Sequence, residues 1–402
     1  MSVEDPTTKA VPAVVLGGTG AALSITRSLG RAGIPVHVLA TESSSVARAS
    51  RYCASFVTVG SGDGIQSRWL SWLESEAPRG AVVLPTADEG VELVVRHQER
   101  LRALGFRLLD YAGETSLAML DKERTYALAR EVGVGCPRTW VVRHEDDLRR
   151  ASGEFSYPCA LKPIESHKFA KHFSKKVFFA DDYAQLSAAL EQTLALGVEM
   201  LVTEIIPGPD DSNWAFRTYI DDAGQPLFHI TTQRLRSRPI HFGTNCYLVT
   251  RWDQEVAEAG LRFLQGIGLR GLAYVEFKRD SRDGSLKLIE CNHRFGAAQE
   301  VVRRAGIDVS LLAYRRALDE PNPTVNSWRE GVRLWFPLRD FKAAREYRRH
   351  GELTWPRWLV SLLRPPVYLP VFAFDDVRPT AYNPYKRLSR VLRKQLLSMR
   401  ST

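Results

Sequence analysis

Glu276, Glu290, Asn292 and Arg294 fall on two alternating apolar segments, Tyr274-Val-Glu276-Phe-Lys278 and Leu286-Lys-Leu-Ile-Glu290-Cys-Asn292-His-Arg294, separated by Asp283-Gly284. Asp-Gly between such segments is a strong hairpin signal, and a turn centred on Asp283 sets Glu276 across from Glu290. Strand side chains repeat with period two, so Asn292 and Arg294 project on the face of Glu290. Two acids, an amide and a guanidinium then stand in a row. Like charges directly opposite destabilise a bare sheet, and a divalent cation between them removes the conflict. Hard oxygen donors of this kind suit Mg²⁺, with Mn²⁺ as the substitute, and the cation would bring a phosphate with it. The bland alternative is a solvated hairpin face.

An acid on one strand followed by Glu-x-Asn-x-Arg on the next resembles the metal-binding hairpin of the ATP-grasp superfamily. The resemblance covers roughly residues 10 to 320, with weaker segments in the family's order. Asp121-Lys122-Glu-Arg-Thr-Tyr126, running into Gly133-Val-Gly-Cys-Pro137, looks like the first nucleotide lysine with its helix and turn. Asp121 suits an N-cap, and Lys122 then opens a helix where free backbone N–H groups can also meet phosphate. Tyr157-Pro-Cys-Ala-Leu161-Lys162-Pro163 looks like the second lysine at the end of a short strand. Val202-Thr-Glu204-Ile-Ile206-Pro-Gly208-Pro-Asp210-Asp211 looks like the interdomain hinge. The resemblance implies that Glu204 and the Ile206 backbone read adenine, and that Asp210 or Asp211 holds the ribose. Gln233-Arg234-Leu-Arg236-Ser-Arg238-Pro239, followed by His241-Phe-Gly243, is similar to a carboxylate-amine ligase branch that includes D-aspartate ligase. That closer likeness takes in Ser50-Arg51-Tyr52-Cys53 as well. A planar guanidinium fork suits the spread charge of a transferred phosphoryl group, which makes Arg236 the first candidate, Arg234 the second, and Arg294 a partner. One departure stands out. Many lids of the family carry a glycine-rich phosphate loop, but residues 164–176 contain no glycine and instead offer His167, Lys168, Lys171, His172, Lys175 and Lys176.

Elements must hold these groups. Ala13-Val-Val-Leu16 reads as a buried strand entering the Gly17–Gly20 turn, Leu23 to Ala32 as a helix, and Pro35 to Ala40 as a parallel strand. Such a βαβ unit admits a dinucleotide reading, with Glu42 as the ribose acid, but Leu23 replaces the third glycine of the fingerprint. Val82-Val-Leu-Pro85 is another buried strand, and Asp88 and Glu89 after it are either substrate contacts or helix-start acids. Alternation over about 140–203 reads as a lid. The expected fold is α/β, an ATP-grasp fold preceded by a Rossmann-like domain. The expected boundaries are 10–112 for that domain, 113–322 for the ATP-grasp domain and 323–402 for a basic C-terminal extension.

Chain-wide composition narrows the class. With 402 residues, two or three lobes are expected rather than one core. Hydrophobic content of 44% and charged content of 25% argue against disorder and against a membrane-spanning protein. Five cysteines without CxxC or CxxH spacing argue against structural zinc or a disulfide framework. The first residues lack a basic region before an apolar run, so the expectation is a cytoplasmic protein. Much of the net charge of +9 sits in a tail that has no acid after Arg378 and carries Leu388, Leu392 and Leu396 on one helical side. With Trp355 and Trp358 nearby, that tail would rest on an anionic membrane or pack against the enzyme or a second subunit. No recognition motif supports nucleic-acid binding.

The reading drawn from this is an ATP-dependent ligase that activates a carboxylate as an acyl phosphate and joins it to an amine, with a small molecule or cell-envelope precursor as substrate. The amine acceptor is implied by the resemblance. Alternatives are a nicotinamide dehydrogenase using the first βαβ unit and a noncatalytic nucleotide-binding scaffold at the membrane.

Overall fold

The computed structural model describes residues 10–43, 45–165, 177–195, 197–322 and 324–382. The chain forms two compact units, one from Met1–Leu109, Phe295–Pro323 and Val367–Thr402, the other from Asp110–Arg294 and Thr324–Pro366. Of the residues after 323, Thr324–Pro366 falls in the second unit and the segment from Val367 in the first, which also takes in Phe295–Pro323. The basic lid loop from His167 to Lys176 and the Leu388-Leu392-Leu396 tail lie outside the described residues.

In the first unit, strands β1 (Ala13–Leu16), β2 (Val36–Ala40), β3 (Cys53–Thr58), β4 (Val82–Pro85) and β5 (Arg107–Leu108) form a parallel sheet in the order β3-β2-β1-β4-β5. β1 and β4 are buried along their length, as parallel strands covered on both faces must be. The turn after β1 needs Gly17, whose φ is +114° and whose added Cβ would fall 2.4 Å from Thr86 Oγ1. Thr19 then caps helix Gly20–Arg31, its hydroxyl accepting from the Ala21 N–H. Leu23 is buried in that helix, filling with side chain the space that a glycine would leave for close approach. Asp88 and Glu89 occupy the first turn of helix Asp88–Arg96. Ser50, Arg51 and Tyr52 grip the late segment: Ser50 Oγ and Arg51 N–H donate to Asp376, and Tyr52 OH donates to Asp375.

The second unit holds two sheets. β6 (Thr139–Val142), β7 (Cys159–Pro163), β8 (Phe178–Ala180) and β9 (Met200–Glu204) form an antiparallel sheet ordered β6-β9-β7-β8. Helix Tyr183–Leu194, capped by Asp182, covers it through Leu186, Ala189 and Leu190. The larger sheet runs β14-β13-β10-β11-β12-β15, where β10 is Asn213–Ile220, β11 Pro226–Arg238, β12 Thr244–Thr250, β13 Gly271–Arg279, β14 Leu286–Asn292 and β15 Arg333–Trp335. Its neighbours are antiparallel throughout. One face is apolar: Trp214, Phe216, Val275, Phe277, Leu288 and Cys291 pack with Tyr126 and Ala129 of helix Lys122–Glu131 and with Val256 and Phe263 of helix Gln254–Gly266. By the period of two, the other face carries Asn213, Ala215 and Arg217 from β10 and Tyr274, Glu276 and Lys278 from β13.

After β15 the chain does not continue as a strand. Pro337 opens a helix, Pro337–Arg349, where its missing N–H costs nothing. A short helix, Trp355–Leu362, follows and buries none of its residues.

Candidate active site

The β13–β14 hairpin puts Glu276 opposite Glu290 and Tyr274 opposite Asn292. A bulge makes this possible. Nearer the turn Lys278 faces Lys287 and Phe277 faces Leu288, so the register shifts between Glu276 and Phe277 and Ile289 is the extra residue. Without the shift Glu290 would share the face of Leu288, which is in the core. Tyr126 OH donates to the Ile289 carbonyl at 2.8 Å, giving the bulged peptide a partner that the ladder does not. The same helix brings Lys122. Asp121 caps it by accepting from Arg124 N–H, and Lys122 N–H donates to Ile164 O at 3.1 Å, just beyond Lys162 on β7.

Lys162 is half-buried, and its ammonium is pushed down to about 8, first by burial and then by the Lys122 charge, against the opposing pull of Glu290. The two lysines and Glu290 therefore share one electrostatic neighbourhood. Lys278, buried on the opposite flank of Glu276, is lowered by burial, with Asp210 opposing.

Glu276 is oriented from both sides. Tyr274 OH donates to one carboxylate oxygen and Arg234 Nη2 donates to the other at 2.9 Å. Burial disfavours the Arg234 charge, but Glu276, Tyr274, Asp210 and Tyr347 together offset it and the guanidinium is held above its usual value. Arg234 Nε donates to Asn245 Oδ1 at 2.7 Å, and Nη1 lies 4.0 Å from Asp210. The β11 register shifts between Arg234 and Arg236, and the two arginines meet different partners. Arg236, the first candidate for the phosphoryl group, is instead bidentate on Asp340 at 2.6 and 2.9 Å, lies over the Tyr247 ring and donates to Ser361. Arg294 is half-buried two residues beyond Asn292, itself buried.

The hinge residues separate in the same way. Glu204, at the end of β9, accepts from Arg138 N–H at 3.2 Å and from Arg282 Nη2 at 2.6 Å, tying the hinge to the β13–β14 turn. Ile206 is buried. Asp210 is buried too, and its carboxylate accepts from Ser237 Oγ, from His241 N–H at 2.9 Å and from Tyr347 OH. Asp211 beside it is exposed. Sequence reasoning did not pick out Tyr274, Lys278, Arg217 or Asn245. The first two were visible as alternate residues flanking Glu276, whereas Arg217 and Asn245 depend on which strands pair.

Two carboxylates in register with an amide on the adjacent pair form an all-oxygen donor set, and the hydrogen-bonded Glu276 is oriented as metal-ligating carboxylates are. The residues present fit a hard divalent cation.

No protein-family model matches the chain. It is 24% identical over 299 residues to D-aspartate ligase of Enterococcus faecium (strain Aus0004), covering 69% of each chain. It is 26% identical over 227 residues to D-alanine–D-alanine ligase of Pseudomonas putida (strain GB-1), covering 54% of this chain and 69% of that one. Among solved structures, N5-carboxyaminoimidazole synthetase of Staphylococcus aureus complexed with ADP superimposes with a TM-score of 0.62 at 14% identity, over 80% of this chain and 81% of that one. L-amino acid ligase from Bacillus licheniformis gives 0.59 at 16%, over 78% and 76%.

These relatives and structural neighbours belong to the ATP-grasp superfamily, and the chain has the same fold. Its ATP-grasp fold accounts for the two sheets of the second unit and for the lysines converging from separate elements on one acidic hairpin. As an ATP-grasp protein it uses ATP. Among the described residues no helix is long and apolar enough to cross a membrane.

Proposed function

We propose that the protein is an ADP-forming ligase that activates a substrate carboxylate as an acyl phosphate and joins it to an amine. The carrying observation is the Glu276–Glu290 pair, flanked by Lys122 and Lys162 on one side and by Arg234 on the other. A carboxylate is a poor acyl donor at neutral pH. Transfer of the γ-phosphoryl group to its oxygen breaks the bond to ADP and leaves phosphate, a far better leaving group, for the attacking amine nitrogen to displace.

Within this reading Lys122 and Lys162 hold the α and β phosphates, the Ile206 backbone and Glu204 line the adenine, and Asp211 faces the ribose in place of the enclosed Asp210. Arg234 keeps the Glu276 carboxylate aimed and faces the transferred group, with Arg294 beside Asn292 on the far side. Arg236 supports β11 through Asp340. Glu276, Glu290 and Asn292 would hold Mg²⁺, or Mn²⁺, which when bound neutralises charge on the phosphates.

The substrates are small molecules, and an acid joined to the amine of a cell-envelope precursor is the analogy nearest to the ligases the chain resembles. The reading carries with it a cytoplasmic protein, as a monomer or homodimer, that touches the inner membrane face through its basic C-terminal tail.

A screen of acids and amines for ADP release tests the proposal. Glu290→Gln and Asn292→Ala should each lower substrate-dependent release about 100-fold or more with an unchanged circular dichroism spectrum. Undiminished release from Glu290→Gln would sink the reading. Tight ATP binding in both forms without any turnover would favour the scaffold.

A further inference from the structure

Among the described residues three arginines are buried, Arg27, Arg217 and Arg236. Arg27 pairs with Asp376 at 2.9 Å and Arg236 with Asp340 at 2.6 Å. Arg217 has no such partner. It is 5% exposed, no carboxylate among the described residues lies within ion-pair distance, and its buried Nε has no hydrogen-bond partner. Its remaining contacts are weak substitutes: Nη2 sits 3.4 Å from Thr232 Oγ1, and the guanidinium carbon lies 3.9 Å from the centre of the Tyr274 ring. A buried guanidinium without a counter-charge is costly, and the ring quadrupole repays only part of it.

Its place in the sheet says what could complete it. Across the strands, Ala215 lines up with Glu276 and Glu290, and Arg217 with Tyr274 and Asn292. The hinge enters β10 at Asn213, so chain order along the strand is hinge, carboxylate pair, Arg217. A nucleotide entering from the hinge meets the carboxylate pair first, and Arg217 lies about 7 Å beyond it, on the side from which an acid must approach the γ-phosphate. The guanidinium leans back toward the pair, since Thr232 is the partner of Ala215 on β11. Tyr274 links the two positions, its hydroxyl on Glu276 and its ring face on Arg217.

We propose that Arg217 binds a second acidic group of the acyl donor, so that the substrate is a diacid, with one carboxylate phosphorylated beside Glu276 and Glu290 and the other paired with Arg217. This deepens the ligase reading and rests on it. A carboxylate offers two acceptor oxygens to the unused donors of the fork, and it supplies the missing charge inside a site that water does not screen.

Matched pairs of acids decide the point. ADP release is measured with aspartate against asparagine, glutamate against glutamine, and succinate against succinamate, each with a panel of amines. The diacid of a pair should be used and its monoamide should not. Arg217→Met should raise KM for the diacid about 100-fold, leave ADP affinity unchanged, and raise the melting temperature of the free protein, because it removes an unpaired buried charge. A guanidinium that merely braces the sheet would give the opposite thermal shift. Equal use of monoamides, a fall in melting temperature, or a loss of ADP affinity equal to the loss for the acid overturns the proposal. If Arg217→Met does not fold, Arg217→Lys keeps the charge without the fork and should still raise KM for the diacid about tenfold. If no acid drives ADP release, the ligase reading fails separately, and thermal protection by millimolar succinate or aspartate then judges Arg217. Protection lost in the variant supports it, and protection unchanged or absent overturns it.

Discussion

Glu276 faces Glu290 across two strands without being left as a bare charge, because Tyr274 and Arg234 each hold one of its oxygens. The pairing itself was legible in the alternation around Asp283-Gly284. What the alternation could not show was the guanidinium that serves it. Arg234 and Arg236 stand two apart on what reads as one strand face, and only the shift in β11 sends the first to Glu276 and the second to Asp340. Lys162 carries a prediction at this scale. Its ammonium is lowered from 10.5 to about 8, so in the free protein its charge is lost as pH rises through about 8. Phosphate prefers the charged form. Affinity for ADP should therefore fall between pH 8 and 9.5, approaching about tenfold per unit, and Lys162→Arg should flatten the profile, as read by nucleotide titration. The same shift has the reverse sign for folding. Between about pH 8 and 10.5 the unfolded chain binds the extra proton, so this lysine's contribution to stability rises with pH across that window.

At the scale of elements, period two succeeds in β13 and fails in β14. Leu286, Leu288 and Cys291 all face the core, which no strict alternation allows, and the extra residue Ile289 reconciles them with an outward Glu290. Strands buried on both faces, such as β1 and β4, were legible as apolar runs. β11 extends from Pro226 to Arg238, well past its apolar part, because its later polar residues find partners distant in sequence. Asp340 is the strongest of these. Its buried carboxylate accepts from Arg236, from Trp335 Nε1 at 3.0 Å and from Trp358 Nε1 at 2.8 Å. Removing either charge strands the other. Asp340→Ala or Arg236→Met should lower unfolding free energy by about 3–5 kcal/mol in denaturant titrations. In contrast, Arg234→Met should depress turnover per folded molecule.

For the whole molecule, the ATP-grasp and Rossmann-like parts were legible because ordered motifs and buried βαβ strands announce them, whereas the fate of residues after 294 was not. Those residues return to both units through contacts that only a folded chain reveals, Asp375 and Asp376 to one and Asp340 and Tyr347 to the other. Composition alone suggested a separate basic appendage. Part of it presents an exposed apolar surface among the described residues: Leu359 and Val360 are each 55% exposed and Leu363 76%, with Arg357 and Arg364 beside them. Apolar residues rimmed by arginine suit an anionic lipid surface. The protein should sediment with vesicles containing phosphatidylglycerol and not with purely zwitterionic ones, and Leu359→Asp with Leu363→Asp should weaken that binding about tenfold. Equal sedimentation of the double variant would dismiss the surface as a lipid contact.

The hydroxyl of Tyr347 reaches the Asp210 carboxylate, and Trp358 reaches Asp340. Cutting the gene before codon 337, to isolate a minimal catalytic core or to graft it into a chimera, would therefore strip Asp210 and Arg236 of their counterparts. A transplantable core of this protein has to travel with the two helices that follow β15.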